Sequence, residues 1–139
     1  MKKILIINAN YYDNITKKLV SSSKNLLKKN KLSLSLINVP GIFEIPFVIK
    51  KNHNKFDAFI ALGCVIKGET PHFEFICKST FDAILNISVN YNKPIGNGII
   101  TALNLKQAKE RCGLIKSKKP NKGLEAAKAV LSILKNGPK

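Results

Sequence analysis

One stretch constrains this chain more than any other. Residues 58–66, AFIALGCVI, run for nine positions without a charge or a strongly polar side chain. Crossing a membrane takes roughly 18 or more apolar residues, so the run is too short to span. It is also too uniformly apolar for a strand with one wet face, which alternates. It predicts a strand over 57–65 that is buried on both faces, at the centre of a parallel sheet. Residues 4–7, ILII, are a shorter run of the same kind.

Strands buried on both faces need helices to cover them, and the intervening segments supply these. After a loop over 8–14, Ile15, Leu19, Leu26 and Leu27 fall at helical spacing among lysines, with Asp13 or Asn14 as the expected N-cap. Leu32, Leu34 and Leu36 alternate with serines and lead through Ile37 to Val39, a further strand that Pro40-Gly41 ends. A short helix is expected over 43–51, with Pro46 in its first turn. Beyond the long apolar strand, Thr70 is the expected N-cap and Pro71 the first residue of a helix. Phe73, Ile76, Cys77, Thr80, Phe81, Ile84 and Leu85 carry that helix's spacing. A fourth strand is expected over 95–101. A helix from Asn104 or Leu105 through Arg111 follows, then a basic linker over 115–120 and a last helix over 121–134. Strands alternating with helices imply parallel pairing through right-handed crossovers. The expected fold is α/β: a flavodoxin-like three-layer sandwich, with a four-stranded parallel sheet flanked by helices on both faces. The whole of 1–139 is expected to be a single domain, in keeping with its length.

The charge is one-sided: 24 basic residues against 8 acidic, a net +16. Arg111 is the only arginine, so the other 23 are lysine. Phosphate and base readers favour arginine's planar fork. A chain rich in Lys, Asn and Ile therefore reads first as the product of an AT-rich genome, and a nucleic-acid partner is not expected. Cys64, Cys77 and Cys112 form no CxxC, and two lie in strongly apolar contexts, so reduced thiols in a cytoplasmic protein are expected. His53 and His72 have no cysteine pair nearby, and no metal is expected. Lys2 and Lys3 lead into only four apolar residues before Asn8, which is no secretory signal.

In open parallel sheets, sites lie beyond the C-terminal strand ends. That rule selects four loops: Asn10-Tyr11-Tyr12, the turn 40–44, the segment 67–72, and Thr101-Ala102. Gly68 permits unusual dihedrals, and the helix after it offers free N–H groups to an anion such as phosphate. His72, one turn away, titrates near neutrality by type and could move protons. Tyr11 could stack on a flat ring or pack against its own domain. Glu44 could accept from a ligand's N–H and O–H groups or cap a helix. Arg111 could bind an anion or complement a helix dipole.

Four ordered blocks then resemble the 6,7-dimethyl-8-ribityllumazine synthase family across nearly the whole chain. They are Val39-Pro40-Gly41-Ile42-Phe43-Glu44-Ile45-Pro46, Ala61-Leu62-Gly63-Cys64-Val65-Ile66-Lys67-Gly68-Glu69-Thr70-Pro71-His72-Phe73-Glu74, Ala108-Lys109-Glu110-Arg111, and Asn121-Lys122-Gly123-Leu124-Glu125-Ala126-Ala127. The resemblance implies condensation of 5-amino-6-(D-ribitylamino)uracil with 3,4-dihydroxy-2-butanone 4-phosphate, the penultimate step of riboflavin biosynthesis, with no cofactor and no metal. By the same resemblance, Tyr11 stacks on the pyrimidine, and Ile42, Phe43 and Glu44 hold the ribityl chain. Cys64, Val65 and Ile66 line the pyrimidine pocket, while Gly68, Glu69 and Thr70 hold the phosphate. His72 carries protons. Arg111 reaches the phosphate from a neighbouring subunit, with Lys122 and Glu125 near the same edge, and Asn97 faces the site from that neighbour.

The chain departs from the family pattern in places. Asn10-Tyr11-Tyr12 stands where Arg-Phe-Asn is common, Asn97 where many members carry an aromatic, and Thr101-Ala102 where Thr-Thr is common. The implied partner is a second copy of the chain, with sites at subunit interfaces. The nine-residue link 112–120 is longer than the compact form of shell-building members and is rich in lysine. A pentamer or a pair of pentamers is therefore expected rather than a sixty-subunit shell, and no N-terminal arm is expected to bridge neighbours. Two rival readings stay open: a basic nucleic-acid-binding protein, or a protein that only binds flavin or lumazine, each on the same fold.

Overall fold

The computed structural model describes residues 1–135. The last four residues of the expected 1–139 domain lie outside the described residues. Four strands form one wholly parallel sheet: β1 (Lys3–Ala9), β2 (Ser33–Val39), β3 (Ala58–Ile66) and β4 (Ile95–Ala102), in the order β2-β1-β3-β4. The chain moves one way from β1 to β2, then back past β1 to β3 and on to β4. A single crossover hand must then place the connecting helices on opposite faces. The helices α1 (Asp13–Lys28), α4 (Leu105–Cys112) and α5 (Lys122–Lys135) cover one face. The helices α2 (Ile45–Lys51) and α3 (His72–Tyr91) cover the other, after a 3₁₀ turn at Ile42–Glu44. This is the three-layer sandwich that the sequence pattern predicts.

The strand period of two divides the core. Ile4, Ile6, Ile60 and Leu62 pack under α1 and α5. Leu5, Ile7, Phe59 and Ala61 pack under α2 and α3. All eight are fully buried, which explains why β1 and β3 read as unbroken apolar runs. α5 lies so close to α1 that a Cβ on Gly123 would sit 2.5 Å from the Leu19 carbonyl oxygen. Ser23 Oγ seals that contact, donating to the Gly123 carbonyl at 2.8 Å.

Several expected boundaries move. β1 runs two residues past Ile7, because Asn8 pairs across the ladder with Asn38, Nδ2 donating to Oδ1 at 3.1 Å. α1 begins at Asp13 behind Tyr12, whose carbonyl accepts from Ile15 and Thr16 N–H. Asp13 is therefore a first-turn residue rather than a cap, and it pairs with Lys17 at 3.3 Å. α3 starts at His72, with Pro71 as the N-cap, one position later than expected. Pro71 still accepts from Phe75 N–H through its carbonyl, so the ring sits just outside the helix rather than as its first residue. α3 continues to Tyr91 and stops where Asn92 turns left-handed, at φ 53°. Of the two expected starts of α4, Leu105 is the first helical residue and Asn104 is its N-cap, the side chain accepting from Gln107 N–H at 2.9 Å. Among the described residues no helix is long and apolar enough to cross a membrane.

Candidate active site

β1 has neighbours on both sides, β2 and β3, and its outgoing connection leads to β2 while β3 follows later in the chain. At such a switch point the loops leave in opposite directions and open a crevice beyond the strand ends. A cavity of about 440 Å³ lies there. Ala9 at the end of β1 and Cys64, Val65 and Ile66 at the end of β3 form its floor and wall. Tyr11, Phe43, Glu44, Ile42 and His72 complete it. Eight of the residues expected at the site thus meet around one cavity, although they come from three separate stretches of the chain.

Backbone bonds fix those loops. Asn10 N–H donates to the Val39 carbonyl at 3.0 Å, tying the first loop to the end of β2. Gly41 N–H donates to Glu44 Oε1 at 2.8 Å, so one carboxylate oxygen closes the 3₁₀ turn. Of the two alternatives for Glu44, the structure shows the cap, made to its own turn, and it also places the residue at the border of the cavity. Ile42 is buried beneath, while Phe43 is 65% exposed and Tyr11 77% exposed. Each presents an uncovered ring at the rim. The Tyr11 ring meets Tyr12 edge-on at 5.0 Å, and Tyr12 packs against the core. Burial, foremost, raises the Tyr12 hydroxyl pKa, and Cys64 and Tyr11 add to it.

Burial also pushes the Cys64 thiol up to about 12, with Cys112 adding to the shift. At neutral pH Cys64 is a protonated wall of the cavity, not a nucleophile, since attack needs the thiolate. Among the described residues there is no group of three or more His, Cys, Asp or Glu that could hold a metal ion.

The segment 67–71 is exposed and does not border this cavity. Its glycine differs from expectation. Gly68 has no positive φ, and a Cβ there would meet nothing within 4 Å. The fold itself does not require glycine at that position. The Thr70 hydroxyl accepts from His72 N–H at 3.4 Å, a long bond, so it supports the helix start from outside. Glu69 is exposed beside it.

Arg111 and Lys122 lie elsewhere in the same chain. They line a second cavity of about 260 Å³ at the end of β4, with Thr101, Gln107 and Lys119. This cavity is cationic, whereas none of the described residues lining the first is a lysine or arginine. Asn97 borders neither. It sits mid-strand opposite Ala61, and its Oδ1 accepts from Ile99 N–H at 3.1 Å.

Some lining residues escape a reading of the sequence. Ile76 follows His72 by one helical turn and could have been inferred from that spacing. Gly41 stood in plain view within the turn motif. Gln107 and Lys119 gave no signal: Gln107 reaches the cationic cavity from the first turn of α4, and Lys119 only through the path of the linker.

The comparisons with known proteins bear on the family. The family described as 6,7-dimethyl-8-ribityllumazine synthase matches residues 1–136. A protein of that name from Campylobacter jejuni subsp. doylei is 43% identical over 137 residues, covering 95% of this chain and 87% of its own length. Those of Campylobacter curvus and Aliarcobacter butzleri are 41% and 39% identical over 138 residues, covering 96% of this chain and 86% of theirs. A family match over nearly the entire chain, with relatives this similar, decides the matter: the chain belongs to the 6,7-dimethyl-8-ribityllumazine synthase family.

Proposed function

We propose that this chain is a lumazine synthase that joins 5-amino-6-(D-ribitylamino)uracil to 3,4-dihydroxy-2-butanone 4-phosphate. The observation that carries the proposal is the switch-point cavity, where exposed aromatic rims, a half-tied carboxylate and one histidine converge. Tyr11 stacks on the pyrimidine, whose edge meets the backbone of Cys64, Val65 and Ile66. Ile42, Phe43 and the second oxygen of Glu44 hold the ribityl chain. The pyrimidine's amine attacks the ketone and water leaves. Phosphate is then eliminated as a proton leaves the neighbouring carbon. The ribityl nitrogen closes the ring, and water leaves again. His72 gives and takes the protons, worth about 10²–10⁴-fold for one positioned acid–base. Holding both substrates in register supplies more, up to about 7–11 kcal/mol for well-oriented groups.

The phosphate is held by the N–H groups and hydroxyl of Gly68, Glu69 and Thr70 and by Arg111 and Lys122 of a neighbouring copy. Two features support a shared site. The aromatic and cationic half-sites occupy separate cavities within one chain. α3 also carries an uncovered apolar stripe, Phe75, Leu85 and Val89, each more than 60% exposed, of the sort that marks an interface. Asn97, on the sheet face that α3 covers, reaches a neighbour's site through that interface. A reducing compartment, the cytoplasm, suits the three unpaired, buried cysteines.

The test is to supply both substrates and follow the absorbance and fluorescence of the lumazine together with phosphate release. Turnover with both and none with either alone is expected. Lumazine binding without turnover would replace this reading with that of a binding protein.

A further inference from the structure

Arg111 is the sole arginine of the chain, in the last turn of α4, and its guanidinium is not free to swing. Nε donates to the Pro120 carbonyl at 2.9 Å, and Nη2 donates to Glu125 Oε1 at 2.8 Å. These two protein acceptors occupy one side of the planar fork. Among the described residues no partner takes the end of the fork, one N–H on Nη1 and one on Nη2, a parallel pair of the kind that holds two oxygens of one phosphate.

The rest of the linker is built to keep Pro120 in place. Asn121 Nδ2 donates to the Cys112 carbonyl at 3.1 Å and to Ser22 Oγ at 3.0 Å. Lys119 pairs with Glu110 at 3.6 Å. Asn121–Cys112, Pro120–Arg111 and Lys119–Glu110 each join residues nine apart. They are successive rungs of one ladder, which Gly113 opens in the left-handed region at φ 89°. Glu125, one turn into α5, then closes on the guanidinium from the helix side. A half-exposed ion pair of this kind adds little to stability, so stability is a poor account of why it is built so tightly.

We propose that Glu125 is a positioning residue: with the Pro120 carbonyl, it fixes the plane of Arg111 so that the end of the fork faces the phosphate-bearing substrate. The proposal rests on the reading of Arg111 as a phosphate ligand. Arginine-selective ¹⁵N labelling tests it on the whole protein, because one arginine gives one Nε–H signal. In the unaltered protein that signal should be single and slow to exchange with water, and a rapidly exchanging, averaged signal would overturn the proposal. Glu125→Gln should move the signal toward the free-arginine position and speed exchange, while Glu125→Asp partly restores it. Titration with inorganic phosphate should shift the signal less in Glu125→Gln than in the parent. In the assay, Glu125→Gln should raise KM for the butanone phosphate by about tenfold, the scale of loosening one charge-assisted hydrogen bond. KM for the pyrimidine should hardly change. Adding Glu125→Gln to Arg111→Lys should add little, since both act on one contact. If Arg111→Lys raises that KM and Glu125→Gln does not, the positioning role fails and the ligand reading stands. If Arg111→Lys leaves it unchanged, the ligand reading fails and takes the positioning role with it. An Nε–H signal indifferent to Glu125→Gln overturns the proposal whatever the kinetics.

Discussion

His72 begins α3 and faces the switch-point cavity with an exposed imidazole. It is the only histidine among the described lining residues, and the Cys64 thiol, held protonated by burial, cannot take over its work. His72→Ala should therefore lower kcat by about 10²-fold or more, with both KM values nearly unchanged; unaltered turnover would remove the imidazole from the mechanism. Tyr11 makes a different kind of contribution. Its ring is uncovered and meets Tyr12 edge-on, so the role proposed for it rests on ring surface rather than on proton chemistry. Tyr11→Ala should weaken lumazine binding by about 1–3 kcal/mol, the range for base–aromatic stacking, and Tyr11→Phe should change it little. Equal damage from the two, measured by fluorescence titration, would transfer the role to the hydroxyl.

At the scale of elements, the contact between α1 and α5 decides where the cationic half-site stands. Gly123 brings the start of α5 against the backbone of α1, and Asn121 Oδ1 accepts from Leu124 N–H at 3.0 Å to start the helix there. A methyl group at 123 must push α5 away from Leu19. Gly123→Ala gains about 1 kcal/mol of helix preference against an overpacking cost of about 1–3 kcal/mol. The net expectation is a destabilisation of about 1 kcal/mol, read as a lower urea midpoint at constant slope. Because Lys122 and Glu125 flank this position, KM for the phosphate substrate should rise as well. An unchanged midpoint with unchanged KM would mean that the two helices part without cost.

For the whole molecule, charge and apolar surface are unevenly divided: Leu105 and Ile133 are exposed on one layer and Lys50, Lys51 and Lys78 on the other, but the largest uncovered apolar side chains lie on the second. On the α1/α4/α5 layer the acidic residues Asp13, Glu110 and Glu125 are each matched by Lys17, Lys119 and Arg111, and most of the lysines remain in water there. The α2/α3 layer instead exposes Phe47, Phe75, Leu85 and Val89. Association through the second layer removes apolar area from water and keeps like charges apart. The expected assembly is a pentamer or a pair of pentamers, with the lysine-bearing linker facing outward. Exposed Lys116 and Lys118 on that linker carry unmatched like charge, which opposes bringing linkers of several pentamers together, while Lys119 is matched by Glu110. Light scattering at about 0.15 M salt, where charge is screened beyond roughly 8 Å, checks this. A particle sixty times 15.4 kDa would defeat the pentamer expectation, and a monomer would defeat the shared site.

The sequence by itself determined the strand–helix alternation, the fully buried β1 and β3, and the family. Each of these is written in local periodicity or in contiguous motifs, and burial on both faces leaves no alternative to an apolar run. It also named eight of the residues around the switch-point cavity, since strand ends and turn motifs are local signals. Tertiary structure alone decided that these residues share one cavity while Arg111 and Lys122 stand at another. Only the packed molecule brings Pro120 and Glu125 onto one guanidinium. It alone showed that Gly68 answers to no backbone demand of the chain, whereas Gly123 answers to a carbonyl of α1. The physical reason is range. Periodicity and capping act over three or four residues, but the site and its supports depend on contacts between segments far apart in sequence, whose distances are set only when the helices settle on the sheet.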